Sequence, residues 1–140
     1  MNYAKDDLLY YWILTKCIGR KKIPTEVFDF VLRDGSDVFG VRKMGKTLLF
    51  VFAGSNDWKD WLNNLKFFKL PEKRDVHEGF YFSAKKLRKY VRKYVKYYKN
   101  IEKKLCIGHS RGGALAEEIN RYFVKYMELN SYTISFGAPN

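Results

Sequence analysis

Apolar positions along this chain change period from helical to alternating to continuous, and each change predicts an element. From Tyr3 to Ile18, Leu8, Leu9, Tyr11, Trp12, Thr15 and Ile18 recur at helical spacing. Gly19 supplies a stop and Pro24 prevents continuation, so the spacing predicts an N-terminal helix that covers a sheet. Val27 to Leu32 and Val38 to Arg42 then read as strands, with Arg33-Asp34-Gly35-Ser36 between them as hairpin chemistry. A second turn at Met44-Gly45-Lys46 leads into Thr47 to Ala53, a continuous apolar run suited to a central strand covered on both faces. The start of the chain is thus an antiparallel meander feeding a buried strand.

Gly54 to Asp57 ends that strand, and Trp58, Trp61, Leu62 and Leu65 predict a short amphipathic helix with Asn56 or Asp57 as N-cap. Asp57 and Asp60 lie where carboxylates cap a helix and complement its dipole, which is their expected role rather than acid–base chemistry. Lys66 to Asp75, with Pro71, reads as a loop. The longest predicted helix runs from Phe80 to Lys99, with Leu87, Tyr90, Val91, Tyr94, Val95 and Tyr98 on one stripe. Leu105 to Ile107 is a short buried strand, Gly113 to Met127 a helix, and Ser131 to Phe136 a last strand closed by Gly137-Ala138-Pro139-Asn140. Strands alternating with helices after residue 47 predict a parallel sheet with right-handed crossovers. No repeat or linker divides residues 1–140, which read as a single domain.

Composition changes this picture in two places. With 46% apolar residues in 140, the chain can build a core and is not a disordered tail. The net charge of +12 raises the question of an anionic partner, either a membrane surface or nucleic acid. Lys85, Lys86, Arg88, Lys89, Arg92, Lys93, Lys96 and Lys99 concentrate that charge on the long helix, where a solvated outer face is the simplest reading. The helix aromatics fall on the apolar stripe and so belong to the core; nucleic acid is not the expected partner. A Lys-, Tyr-, Phe-, Asn- and Ile-rich composition is also what an AT-rich coding sequence produces. Two cysteines, Cys17 and Cys106, make no disulfide framework, and Cys106 falls in a core strand. With no basic-then-apolar leader at Met1 to Asp7, a reducing, intracellular location is the expectation.

The chemistry lies in Leu105-Cys106-Ile107-Gly108-His109-Ser110-Arg111-Gly112-Gly113-Ala114-Leu115-Ala116. Gly-His-Ser-Arg-Gly between an apolar strand and a helix has the spelling of a nucleophile elbow, G-x-S-x-G. Ser110 must turn sharply with strained dihedrals, and Gly108 and Gly112 remove side chains that would collide. The expected result is an exposed hydroxyl at a helix N-terminus, where free N–H groups favour negative charge. A serine hydroxyl still needs a base to take its proton and donors to hold the oxyanion. The N–H of Arg111 is one candidate donor, and the N–H of Ser55, after the central strand, is the other.

Four blocks in order then carry a family resemblance. Val51-Phe52-Ala53-Gly54-Ser55 with Asp60-Trp61-Leu62, Val76-His77-Glu78-Gly79-Phe80, Gly108 to Ala116, and Ser135-Phe136-Gly137-Ala138-Pro139 resemble the class 3 (fungal-type) lipases. The resemblance implies an α/β-hydrolase core: a mostly parallel sheet with an antiparallel N-terminal meander, C-terminally incomplete. It implies cleavage of acylglycerols or related esters by a Ser-Asp-His triad with no cofactor and no metal. Ser110 would be the nucleophile, and Ser55 and Arg111 the oxyanion donors. Arg111 stands where leucine is more usual, which leaves its N–H unaffected but puts a charge beside the nucleophile. Lys66 to Asp75 falls near the lid position of that family.

In the family the triad Asp and His follow the Gly-Ala-Pro block, where this chain stops. The histidines present are His77 and His109. His109 adjoins Ser110 on a tight turn and should point away from it; His77 is the candidate substitute base, against a structural role. Two readings follow. One is a serine esterase whose Asp and His come from a downstream half or a partner chain. The other is a non-catalytic basic module on a degenerate hydrolase fold, binding anionic lipid or nucleic acid. An unpaired sheet edge would accompany either.

Overall fold

The computed structural model describes residues 4–54 and 70–137, with the backbone alone for 70–80. Helix α1 (Lys5–Ile18) precedes three strands, β1 (Phe30–Asp34), β2 (Asp37–Met44) and β3 (Thr47–Phe52). Helix α2 (Leu70–Tyr97), β4 (Lys103–His109), α3 (Arg111–Lys125) and β5 (Ser131–Phe136) follow. All five strands form one sheet in the order β1-β2-β3-β4-β5. The first two pairings are antiparallel, closed by two-residue turns at Gly35-Ser36 and Gly45-Lys46. Both turn glycines have left-handed φ, 62° and 61°, which an L side chain would oppose. The last two pairings are parallel, as strands separated by helical crossovers must be.

The central strands of the sheet are buried on both faces. Phe39, Val41, Leu48, Phe50, Phe52 and Cys106 pack with Ala84, Leu87 and Val91 of α2 and with Leu115, Ala116, Ile119 and Phe123 of α3. On the opposite face Leu49, Val51, Leu105, Ile107 and Ile134 pack with Leu14, Cys17 and Ile18 of α1 and with Phe28. This three-layer arrangement explains the unbroken apolar spelling of β3: alternate side chains serve opposite cores. Burial removes Cys106 from water and pushes its thiol well above the usual range, so it is inert core. Of the basic residues of α2 from Lys85 to Lys96, six are exposed, and Arg88 is half-buried over the rings of Tyr81, Tyr122 and Tyr126. Among the described residues no helix is long and apolar enough to cross a membrane.

Several boundaries differ from the sequence expectation, each for a physical reason. The long helix begins at Leu70, so Leu70 to Asp75 are helical rather than loop; Pro71 sits in the first turn, where a missing N–H is tolerated. β1 begins three residues after Val27 because Phe28 turns into the core under α1. The buried face of α1 is Leu14, Thr15, Cys17 and Ile18, while Leu9 and Ile13 are exposed. That helix is apolar on more than one side, so periodicity alone does not select its inner face. The expected helix from Trp58 to Leu65, with Asp57 and Asp60, lies outside the described residues.

Candidate active site

The carboxyl ends of β3 and β4 lie side by side, with Phe52 paired to Gly108, and the chain turns out of β4 at Ser110. Ser110 has φ 56° and ψ −122°, a region essentially reserved for glycine. Its surroundings impose that conformation. The Ser110 N–H donates to Phe136 O at 2.8 Å, while its carbonyl accepts from Gly113 N at 2.9 Å and Ala114 N at 3.3 Å. The same crowding excludes any side chain at two flanking positions. A Cβ on Gly108 would stand 2.1 Å from Gly112 O, and one on Gly112 would stand 2.3 Å from Phe52 O. The strained serine and both glycine roles read from the sequence are therefore present.

The hydroxyl differs from expectation. Ser110 is 1% exposed, and its Oγ has no hydrogen-bond partner among the described residues. A buried hydroxyl without a partner costs about 1–3 kcal/mol, and stable proteins seldom keep one without a use. It lies at the N-terminus of α3, where Gly113 and Ala114 spend their N–H groups on the Ser110 carbonyl. No backbone carbonyl among the described residues accepts from Arg111 N–H or Gly112 N–H. Those donors and the helix dipole favour negative charge beside Ser110. Chemically, the arrangement can hold an oxyanion formed at a carbonyl carbon attacked by Oγ.

Arg111 is tied down by its side chain. Nη1 lies 2.7 Å from Oδ1 of Asp37, and Nζ of Lys86 lies 3.2 Å from Oδ2 of the same carboxylate. The Arg111 contact is an ion pair, since charge attraction at that distance does not need hydrogen-bond alignment. Nη2 of Arg111 also donates to Ser83 Oγ at 3.3 Å. Asp37 is only 2% exposed, so a buried carboxylate at the start of β2 joins the first residue of α3 to α2. The Arg111 charge beside Ser110 is thereby offset in part, because one carboxylate serves two cations. Sequence reasoning missed Asp37, Ser83 and Lys86. One signal was available: Asp37 is in phase with Phe39 and Val41, the core-facing positions of β2.

The His109 side chain packs against α1. Its ring meets Trp12 of α1 edge-on at 4.9 Å, and Trp12 also contacts Phe136 at 5.3 Å. Burial, and secondarily the charge of Lys16, lowers the His109 pKa below the usual histidine value. His77 lies within α2, and its side chain is outside the described residues, as is Ser55 altogether. Among the described residues no three His, Cys, Asp or Glu side chains gather as metal ligands. Beside the elbow, at the ends of β2 and β3, a cavity of about 500 Å³ is lined by Arg20, Lys21, Arg33, Ser36, Val38, Ala53 and Gly54, among others.

A parallel β–elbow–α unit with a strained serine, set in a three-layer sheet, is the core of an α/β-hydrolase. The family model for lipase (class 3) matches residues 49–140, and the chain belongs to that family. The structure of a Rhizomucor miehei triacylglyceride lipase is similar, with a TM-score of 0.67 at 22% identity. The match covers 93% of this chain and 60% of that one, so the chain spans about three-fifths of the lipase's length. No curated protein matches the chain.

Proposed function

We propose that the protein acts as a serine hydrolase on carboxylic esters of lipids, with Ser110 as nucleophile. The observation that carries this reading is Ser110 itself: left-handed backbone, buried, its Oγ unpartnered, at the N-terminus of α3. Family membership supplies the substrate class. In the reaction Oγ attacks the acyl carbonyl carbon and gives its proton to a base, while Arg111 N–H and Ser55 N–H hold the oxyanion. Collapse expels the alcohol, which takes the proton back, and water then releases the acyl group by the reverse steps. The base is a histidine oriented by an aspartate, both contributed by a downstream half or a partner chain, with His77 as the candidate within these residues. His109 is not the proposed base, because its ring packs edge-on against Trp12 of α1.

A fluorophosphonate probe tests this directly, since it labels a serine only where a base activates it. Intact-mass measurement with the downstream segment or partner chain present should show one adduct on the wild type and none on Ser110→Ala, and labelling of the chain alone would assign the base to His77. A folded wild type that takes up no probe would remove the hydrolase reading for this chain acting alone. The exposed lysines and arginines of α2 favour a second, compatible role, attraction to an anionic membrane surface that carries the substrate.

A further inference from the structure

The cavity beside the elbow has an unusual charge. Arg20 and Lys21 enter it from the segment after α1, and Arg33 from β1. No carboxylate lines it among the described residues, and none of these three side chains forms an ion pair there. Arg111, which also borders the cavity, differs from them because it is paired with Asp37. Three like charges around one concavity repel one another and favour a bound anion. The remaining wall combines Ile18, Val38 and Ala53 with Ser36, Gly19 and Gly54. At about 500 Å³ the space has the size of a small-molecule site.

Its position gives the charge a meaning. Gly54 and Arg111 belong both to the cavity wall and to the rim of the elbow, so a ligand seated among the cations lies next to the Ser110 turn. Monoanionic or dianionic phosphate suits this chemistry: arginine forks bind its oxygens in pairs, and lysine adds a point charge. Apolar side chains beside the cations suit the carbon backbone to which such a phosphate is attached. We propose that this cavity binds the phosphate of an ester lipid, so that the substrate of the Ser110 site is an anionic glycerophospholipid rather than a neutral acylglycerol. The assignment of a substrate rests on the serine hydrolase reading above; the phosphate site itself does not.

Calorimetric titration with three probes separates the outcomes. The first is a short-chain diether glycerophosphate used below its micellar concentration, which keeps the phosphate but has no ester to cleave. The second is the matching neutral diether glycerol, and the third is inorganic phosphate. The diether glycerophosphate should bind the wild type at least tenfold more tightly than either of the others. Arg20→Gln and Arg33→Gln should each weaken it about tenfold, the usual loss for one charge-assisted hydrogen bond. Both side chains are exposed, so folding should be retained, and Arg33→Lys should recover part of the affinity. Equal binding of the neutral diether, or variants that bind as the wild type does, would overturn the proposal. Inorganic phosphate binding as tightly as the diether glycerophosphate would leave a free-phosphate site and overturn the lipid assignment. Because no probe is cleaved, these results stand whether or not Ser110 takes up a fluorophosphonate.

Discussion

The chain adopts a left-handed backbone at two hairpin tips and at the elbow, for opposite reasons. At Gly35 and Gly45 the conformation is relaxed: glycine carries it, and a Cβ on Gly45 would meet nothing within 4 Å. At Ser110 the residue opposes the conformation, and the surroundings enforce it through Phe136, Gly113 and Ala114. Glycine appears there too, but at Gly108 and Gly112, as the space that lets strand and helix close on the serine. In the meander the backbone is arranged for stability. At the elbow, stability is given up at one residue and recovered from its neighbours, a pattern that marks function.

Three substitutions sharpen that contrast. Gly108→Ala should have the largest effect. Its Cβ would meet backbone on α3 that cannot move without opening the β4–α3 turn, so a loss of about 3 kcal/mol or more is expected, read from the urea midpoint. Ser110→Gly should act in the opposite direction. It removes the strained side chain and the unpartnered hydroxyl, and a net gain of about 1 kcal/mol remains after the added freedom of the unfolded glycine. Differential scanning calorimetry should show the melting temperature rising by roughly 4 °C; a fall would mean that the serine conformation is not strained. Gly45→Ala, in open space, should lose only about 1 kcal/mol and leave fluorophosphonate labelling intact. A loss as large as that of Gly108→Ala would erase the distinction between the two regions.

How much of this was legible follows the range of the interactions. The hairpins and the elbow are local, and Asp34-Gly35, Met44-Gly45-Lys46 and Gly-His-Ser-Arg-Gly spell them out. The double burial of β3 was legible as well, because only a strand covered on both sides tolerates seven apolar or near-apolar residues in succession, from Thr47 to Ala53. Tertiary choices were not. The pairing of Asp37 with Arg111 and Lys86 joins three separate elements, and nothing in the spacing announces it. The burial of the Ser110 hydroxyl depends on how layers close over the turn, which the motif does not encode. Pro71 misled for a simpler reason: it reads as a breaker anywhere except the first turn of a helix, where it belongs.

The order of pairing in the sheet has a consequence for how the Ser110 conformation comes into being. β1, β2 and β3 are joined by two-residue turns, so their contacts close almost no chain and are expected to form early. β3 meets β4 only after the whole segment from Phe52 to Lys103 has looped back, an entropically costly and therefore late event. The hydrogen bonds that force Ser110 into its conformation come from β5 and α3, on the far side of that closure. A nascent or partly unfolded chain thus carries an ordinary serine. The Ser110 conformation is a property of the finished sheet, expected to form late in assembly and to be lost early in unfolding.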